Sequence, residues 1–518
     1  MTGLERLVHT IFGADRETRR YLILLYGITL WLSLVLALIA IYQNVRVAPD
    51  ETPVIATQAA LSPNATPYPR TTQAQGRNTP TPLPAIPPTP NEKTPSYLGV
   101  TTNELRGVHV NLWHPWTGES EVVLDNLLDE FNRTNLWGIT VEASAYEGFG
   151  RLDEAVETAL LANTQPDVIM DYGYQAAHWD GVEALVDMTP YTNDPVWGMT
   201  AEEQADFFPS FWVEDLVTAP NSGQPRRLGI PYSRSAYVFF YNQTWAHELG
   251  YPNPPKTPED FRVRACAAAQ FVREQGDKSN LGKGGWLVTP QPGLLAGWIY
   301  AFGGNITNPE DQGYLFNTPE TRQAFEYLKD LQNNGCAWLD STVDSQSEFA
   351  SRGALFIVGS LFDIPAQQVA FTQADNPDEW VVLPFPSSDQ PAVDTYGPSL
   401  LMTRSNPARQ LAAWLVIQWL VYPPNQSEWV KTLEVYPTRQ STLPYLAEAT
   451  ADNPQWAAAL EMLLEAHSEP SLASWRVMRW ALEDALVQLF DPQFSMDQIP
   501  VMLKELDRLA DEIFSQVY

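Results

Sequence analysis

The chain has 518 residues, room for about two to four folded units, and its 44% apolar content excludes wholesale disorder. It carries 31 Lys+Arg against 62 Asp+Glu, yet residues 1–100 hold 8 basic and 6 acidic side chains, and residues 101–518 hold 23 and 56. So acidic a body repels phosphate backbones, and only two Cys and six His exclude a disulfide scaffold and a Cys- or His-built metal centre.

Tyr21 to Tyr42 is a run of 22 residues without a charge. As a helix rising ~1.5 Å per residue it spans roughly 33 Å, enough to cross a bilayer core. The exit sequence Asn44-Val45-Arg46-Val47-Ala48-Pro49 offers no small-x-small cleavage site, and no Cys follows for lipid attachment. Arg6, Arg16, Arg19 and Arg20 precede the run and only Arg46 closely follows it, so the positive-inside rule places the N-terminus in the cytoplasm. The expectation is a cytoplasmic tail over 1–20, an uncleaved transmembrane anchor helix over 21–43, and everything after it extracellular. Residues 48–98 contain twelve Pro and nine Thr. Such a segment favours extended polyproline II, so 44–104 reads as a Pro/Thr-rich disordered linker.

From about Leu105 the pattern turns to alternating strands and helices. Val108–Leu112 alternates with period two, and Val122, Val123, Leu127, Leu128 and Phe131 recur at helical spacing. Ile139–Val141, a helix carrying Leu152, Val156 and Leu160, and the apolar strand Val168–Met170 complete a βαβαβ opening. That order predicts an α/β fold with a mostly parallel sheet. Thr257-Pro258-Glu259-Asp260 and Thr318-Pro319-Glu320 predict helix starts, and Ser345–Glu348 predicts a capping box. From Pro407 the chain reads as almost wholly helical, with Trp414, Trp419 and Trp480 on core stripes.

Catalytic constellations are missing. Gly282–Gly285 lacks the spacing of a phosphate loop, His247-Glu248 has no second His four residues on, and Gly397-Pro398-Ser399 is not a nucleophile elbow. With no nucleophile–base pair and no cofactor or metal motif, the expectation is a binding protein and not an enzyme. Aromatic side chains crowd the loops at strand ends instead: Trp113-His114-Pro115-Trp116 after the first strand, Tyr172-Gly173-Tyr174 after the third. Open α/β sheets bind ligands beyond the carboxyl ends of their strands, and ring faces with a few polar groups suit a sugar.

Residues 105–518 resemble the extracellular solute-binding proteins of ABC importers, the class that includes maltose-binding protein. The resemblance rests on NLWHPWTG, ANTQPDVIMD, GIPYSRSAYVFFYNQTWAHELGYPNPPKTPEDF, GWIYAFGGNI, FNTPETRQAFEYLKDLQNNG, FASRGALFIVGS, VVLPFP and YPTRQSTL, in the order that family shows. It implies a two-lobed periplasmic-binding-protein fold with hinge and interlobe cleft: lobe 1 over about 105–233 and 380–417, lobe 2 over about 234–379 and 418–518. It also implies a carbohydrate ligand, trapped by lobe closure and handed to ABC permease and ATPase subunits. The matching ligand positions are Trp113, His114, Trp116, Thr117, Glu119, Asp171, Tyr172, Tyr174, Arg234, Ser235, Gln291, Gly359, Ser360 and Trp475. Two departures stand out: Leu361-Phe362 replaces the Trp common after Gly359-Ser360, and Pro292-Gly293 replaces an aromatic near Gln291.

Cys266 and Cys336 both fall in the second lobe, and two readings are open: a disulfide closing a ~70-residue loop, or Cys266 as a small buried residue amid alanines. Two other functional classes share the residues. A sensor ectodomain would use the same fold, although only about 20 residues precede the anchor. A secreted hydrolase would release reducing ends from a glycan.

Overall fold

The protein is described here by a computed structural model covering residues 95–218, 224–275, 283–308, 313–340 and 343–517. The expected tail, anchor helix at 21–43 and most of the linker lie outside the described residues. Among the described residues, no helix is long and apolar enough to cross a membrane.

The opening alternation becomes strand β1 (His109–His114), with Val110, Leu112 and His114 turned inward. Helix α1 (Glu119–Thr134), β2 (Thr140–Ala145), α2 (Phe149–Ala162), β3 (Val168–Asp171) and α3 (Gly173–Asp180) follow. All four residues of β3 are buried, as a strand covered on both faces requires. A short hairpin, β4 (Leu216–Thr218) with β5 (Pro225–Arg227), leads to β6 (Gly229–Pro231) and the ten-residue β7 (Ser233–Asn242).

The second lobe continues with α4 (Pro258–Glu274), β8 (Gly284–Val288), α5 (Pro292–Ala301), α6 (Pro319–Asn333), β9 (Ala337–Leu339) and β10 (Ala354–Ser360). Thr257 and Thr318 cap α4 and α6, accepting from the backbone N–H groups of Asp260 and Thr321 at 3.1 Å each. The cap of the helix at Ser345–Ala350 is Asp344, one residue before the expected Ser345, because its carboxylate accepts from Gln346 N. Then come β11 (Trp380–Leu383), β12 (Val393–Tyr396), β13 (Ser399–Met402), α7 (Pro407–Leu420), α8 (Pro423–Leu433), β14 (Tyr436–Pro437), β15 (Ala466–Ser468), α9 (Trp475–Leu489) and α10 (Ile499–Val517).

Two sheets result. The first has the order β2-β1-β3-β13-β6, parallel except for β13, which runs antiparallel to β3 and β6. The second has the order β15-β12-β7-β10-β8-β9, with β11 and β14 also on β7. The chain passes between sheets at Tyr232, joining β6 to β7, and returns at Gly397-Pro398, joining β12 to β13. The expected lobe limits therefore shift. Residues 380–396 belong to the second sheet, because β11 and β12 pair antiparallel with β7. Helix α8, expected in lobe 2, packs on α1 of the first lobe, and the last passage lies near β14.

Cys266 on α4 is bonded to Cys336 at the foot of β9, with their Cα atoms 4.3 Å apart. The approach depends on Gly285, where an added Cβ would sit 2.0 Å from the Cys336 carbonyl oxygen. Trp414 and Trp419 are core residues, each donating its ring N–H to a backbone carbonyl. Trp480 is not: 50% of it is exposed, because α9 turns that face to solvent.

Candidate functional site

The end of β1 divides its aromatic residues between two faces. Trp113 is directed beneath α2, where it packs on Tyr146 at 4.9 Å and against the Leu152–Ile169 cluster. His114, on the opposite face, is buried and stacks on Trp116 at 5.9 Å; burial pushes its pKa down to about 4. Trp116 is half-buried, edge-on to Trp429 at 4.6 Å and to Phe149 at 6.1 Å. Thr117 and Glu119 are exposed at the start of α1.

The end of β3 builds a second wall. Tyr172 and Tyr174 stack at 5.1 Å and 10°, with Phe149 4.3 Å from Tyr172. Arg479 of α9 donates from Nη1 to Tyr174 Oη at 2.7 Å, and its guanidinium lies 5.1 Å from the Tyr174 ring and 6.0 Å from Tyr172. Tyr174 thus joins the apolar cluster of the second lobe, and the two lobes meet at these rings. Asp171 is sealed below them, accepting from Tyr172 N at 2.7 Å. Burial and the neighbouring Asp153 push its carboxyl well above the usual range.

The second lobe answers with rings of its own. Tyr237 on β7 stacks on Tyr396 of β12 at 4.7 Å, and Tyr300 of α5 stacks on His467 at 4.4 Å. Tyr396 Oη donates to Ser360 Oγ at 2.8 Å, and Ser360 Oγ lies 2.9 Å from Ser235 Oγ. Ser360 also caps the turn that follows, accepting from Phe362 N at 3.1 Å, so the residue replacing the common Trp helps shape that turn. Gly293 explains the second departure. A Cβ there would lie 2.1 Å from Asp394 Oδ2 and 2.3 Å from the Tyr237 ring, so glycine lets α5 press against both. Gln291 precedes it, half-buried, its Oε1 unpartnered among the described residues. Gly359 packs on Phe240, where a Cβ would approach the ring to 2.9 Å.

The phenols of Tyr172, Tyr237 and Tyr300 and the carboxylate of Asp394 make no side-chain hydrogen bond among the described residues. Burial pushes the three phenols and Asp394 well above their ordinary pKa values, and Glu469 adds to each shift. These groups therefore share one low-dielectric region.

Two expected ligand residues are engaged elsewhere. Arg234 is fully buried and paired: Nε donates to Glu214 Oε2 at 2.9 Å, Nη1 to the carbonyls of Ser233 and Pro398, and Nη2 to Ser399 Oγ at 3.0 Å. It fastens the two interlobe strands side by side. Trp475 is 1% exposed, donates to Glu469 Oε1 at 3.0 Å and stacks on Tyr314, so it orients Glu469 from within the core. Sequence reasoning missed Tyr237, Tyr300, Tyr396, Asp394, Glu469 and Arg479. Asp394-Thr395-Tyr396 adjoins the second passage between sheets, the same signal that singled out Arg234 and Ser235.

Ring faces with unpaired donors and acceptors suit reversible binding of a polar small molecule. Residues 126–459 match the bacterial extracellular solute-binding protein family. The chain is 24% identical over 244 residues to the sn-glycerol-3-phosphate-binding periplasmic protein UgpB of Agrobacterium fabrum, an overlap of 46% of this chain and 52% of that one. The overlap thus spans about half the length of that curated relative. Its fold resembles the sugar-binding protein MalE of Xanthomonas citri, with a TM-score of 0.66 at 20% identity, covering 79% of this chain and 98% of that one. It likewise resembles the cyclic alpha-maltosyl-1,6-maltose binding protein of Arthrobacter globiformis (TM-score 0.65, 19% identity, 79% and 99% covered) and UgpB of Mycobacterium tuberculosis (0.62, 17%, 79% and 98%). With a match over more than half its length and the two-lobed architecture to go with it, this chain belongs to the bacterial extracellular solute-binding proteins.

Proposed function

We propose that the protein is the capture component of an ABC importer, held at the outer face of the cell membrane by residues 21–43, and that its solute is a carbohydrate. The observation that carries this reading is the pairing of ring stacks from opposite lobes, Tyr172–Tyr174 and Tyr237–Tyr396, around unpaired polar groups. Ring faces pack on the C–H faces of a sugar, while Asp394, Gln291 and the free phenols take its hydroxyls. A solute touching both stacks favours the closed arrangement through contacts that the open one lacks. The names of two fold relatives, a cyclic alpha-maltosyl-1,6-maltose binding protein and a sugar-binding protein, agree with a carbohydrate. Delivery to a permease and a cytoplasmic N-terminus belong to the same reading, and no covalent change of the solute is part of it.

Calorimetry of the full-length protein against mono-, di- and oligosaccharides tests it. At least one sugar is expected to bind, and Tyr237→Ala is expected to weaken that sugar roughly 30-fold or more, the range for removing a buried ring contact. Binding untouched by Tyr237→Ala would place the solute elsewhere. Reducing ends released from a glycan panel would replace capture by hydrolysis.

A further inference from the structure

Asp394 is the buried carboxyl of this region that the fold leaves without a counter-charge. It is 2% exposed, and its carboxylate accepts no side-chain hydrogen bond among the described residues. The charged groups that act on it are Glu469 and Glu214, both acidic. Of the nearby guanidiniums, Arg234 is paired with Glu214, and Arg479 donates to the Tyr174 phenol and acts on Glu469 and not on Asp394. Buried carboxylates are otherwise paired or hydrogen-bonded, so Asp394 awaits a partner from outside.

Its surroundings narrow what that partner is. Tyr237 lies directly across from Asp394 in the β7–β12 pairing, its ring stacked on Tyr396, and Tyr300 completes the aromatic surround. Aromatic faces beside a desolvated carboxylate attract a cation, because the ring quadrupole and the charge act in the same sense. A sugar hydroxyl leaves the Asp394 carboxyl in the neutral form that burial favours, whereas a protonated amine supplies the counter-charge that ionises it. A phosphate ester would add negative charge beside Asp394 and Glu469. At long range, the 23 basic and 56 acidic side chains of residues 101–518 draw cations toward the body and repel anions.

Building on the proposed reading of this pocket as the solute site, we infer that the preferred solute carries a protonated amine, which Asp394 and the Tyr237, Tyr396 and Tyr300 rings receive. The solute class is an amino-bearing sugar or polyol.

The test is calorimetry of the full-length protein at low salt with probes matched except at one group: D-glucosamine against D-glucose, the glucosamine disaccharide against cellobiose, and glycerol 3-phosphate as the anion. The amine member of a pair is expected to bind at least about tenfold tighter. Asp394→Asn is expected to bring the two members within about threefold of each other, and its melting curve shows whether it folds. If it does not, Glu469→Gln, which removes the neighbouring negative charge, is expected to shrink the amine preference instead. A neutral member binding as tightly as its amine, or glycerol 3-phosphate binding tightest, overturns the inference while leaving capture of a solute intact. Failure of every probe to bind overturns it together with the carbohydrate reading.

Discussion

Two buried polar regions lie close together in this protein and behave in opposite ways. At the passage between sheets, Arg234 spends its donors on Glu214, Ser399 and two carbonyls, and Ser399 Oγ donates on to Asp215 Oδ2 at 2.7 Å. In the ring-rich region proposed as the solute site, Asp394 and the phenols of Tyr237, Tyr300 and Tyr172 have no side-chain partner among the described residues. Both regions are desolvated, so burial alone does not separate architecture from binding. Open polar groups alone do not separate them either, since the hydroxyls of Tyr232, Tyr241 and Tyr436 in the core are also unpartnered among the described residues; what sets the second region apart is that its open groups lie among stacked rings from both lobes.

Substitutions sharpen the contrast. Arg234→Ala strands Glu214 and Asp215 in the interior and is expected to cost about 3–5 kcal/mol of stability, read as a lower denaturant midpoint. Severing Cys266 from Cys336 by double substitution to Ala releases a loop with a sequence separation of 70 and is expected to cost about 4 kcal/mol in the chain-entropy model. The bond ties α4 to the foot of β9, elements that carry none of the proposed site's rings, so solute affinity in the folded fraction should persist.

His114 is an intermediate case, buried with Nδ1 unpartnered among the described residues, yet packed on Trp116. Its pKa falls from 6.5 to about 4 on folding, so the unfolded chain binds more protons between those values. Stability is therefore full above pH 6.5 and declines as pH falls toward 4, by about 3 kcal/mol from this group. His114→Gln should flatten that part of the stability–pH curve; an unchanged slope would show that His114 is not the group responsible. The smallest effect belongs to Tyr396→Phe, which keeps the stack on Tyr237 but removes the donor to Ser360. It should cost about 1 kcal/mol, in stability or in solute binding.

The sequence disclosed what is local. The βαβαβ opening, the capped starts at Thr257 and Thr318, and the aromatic loops after β1 and β3 each follow from spacing or from one cap. The second half of the pocket was hidden because it is assembled by pairing between distant segments. Tyr237 meets Tyr396 through the antiparallel β7–β12 ladder, and Glu469 follows β15, which pairs parallel with β12. No spacing in the chain encodes those meetings. Arg234 misled for a related reason: Glu214 and Asp215, which neutralise it, lie some twenty residues upstream with nothing local to tie them to it. The same non-local pairing took β11 and β12 into the second sheet.

The central claim is that one solute touches rings from both lobes at once, and a single calorimetric series tests it. Affinities are compared for the wild type, Tyr172→Ala, Tyr237→Ala and the double variant, with a melting curve for each. Both rings are half-buried at the pocket, so each single variant should lose roughly 30-fold or more in affinity with little change in melting temperature, and the double variant should lose measurable binding. An affinity unchanged by either single substitution would contradict the account, because the solute would then rest on one lobe alone.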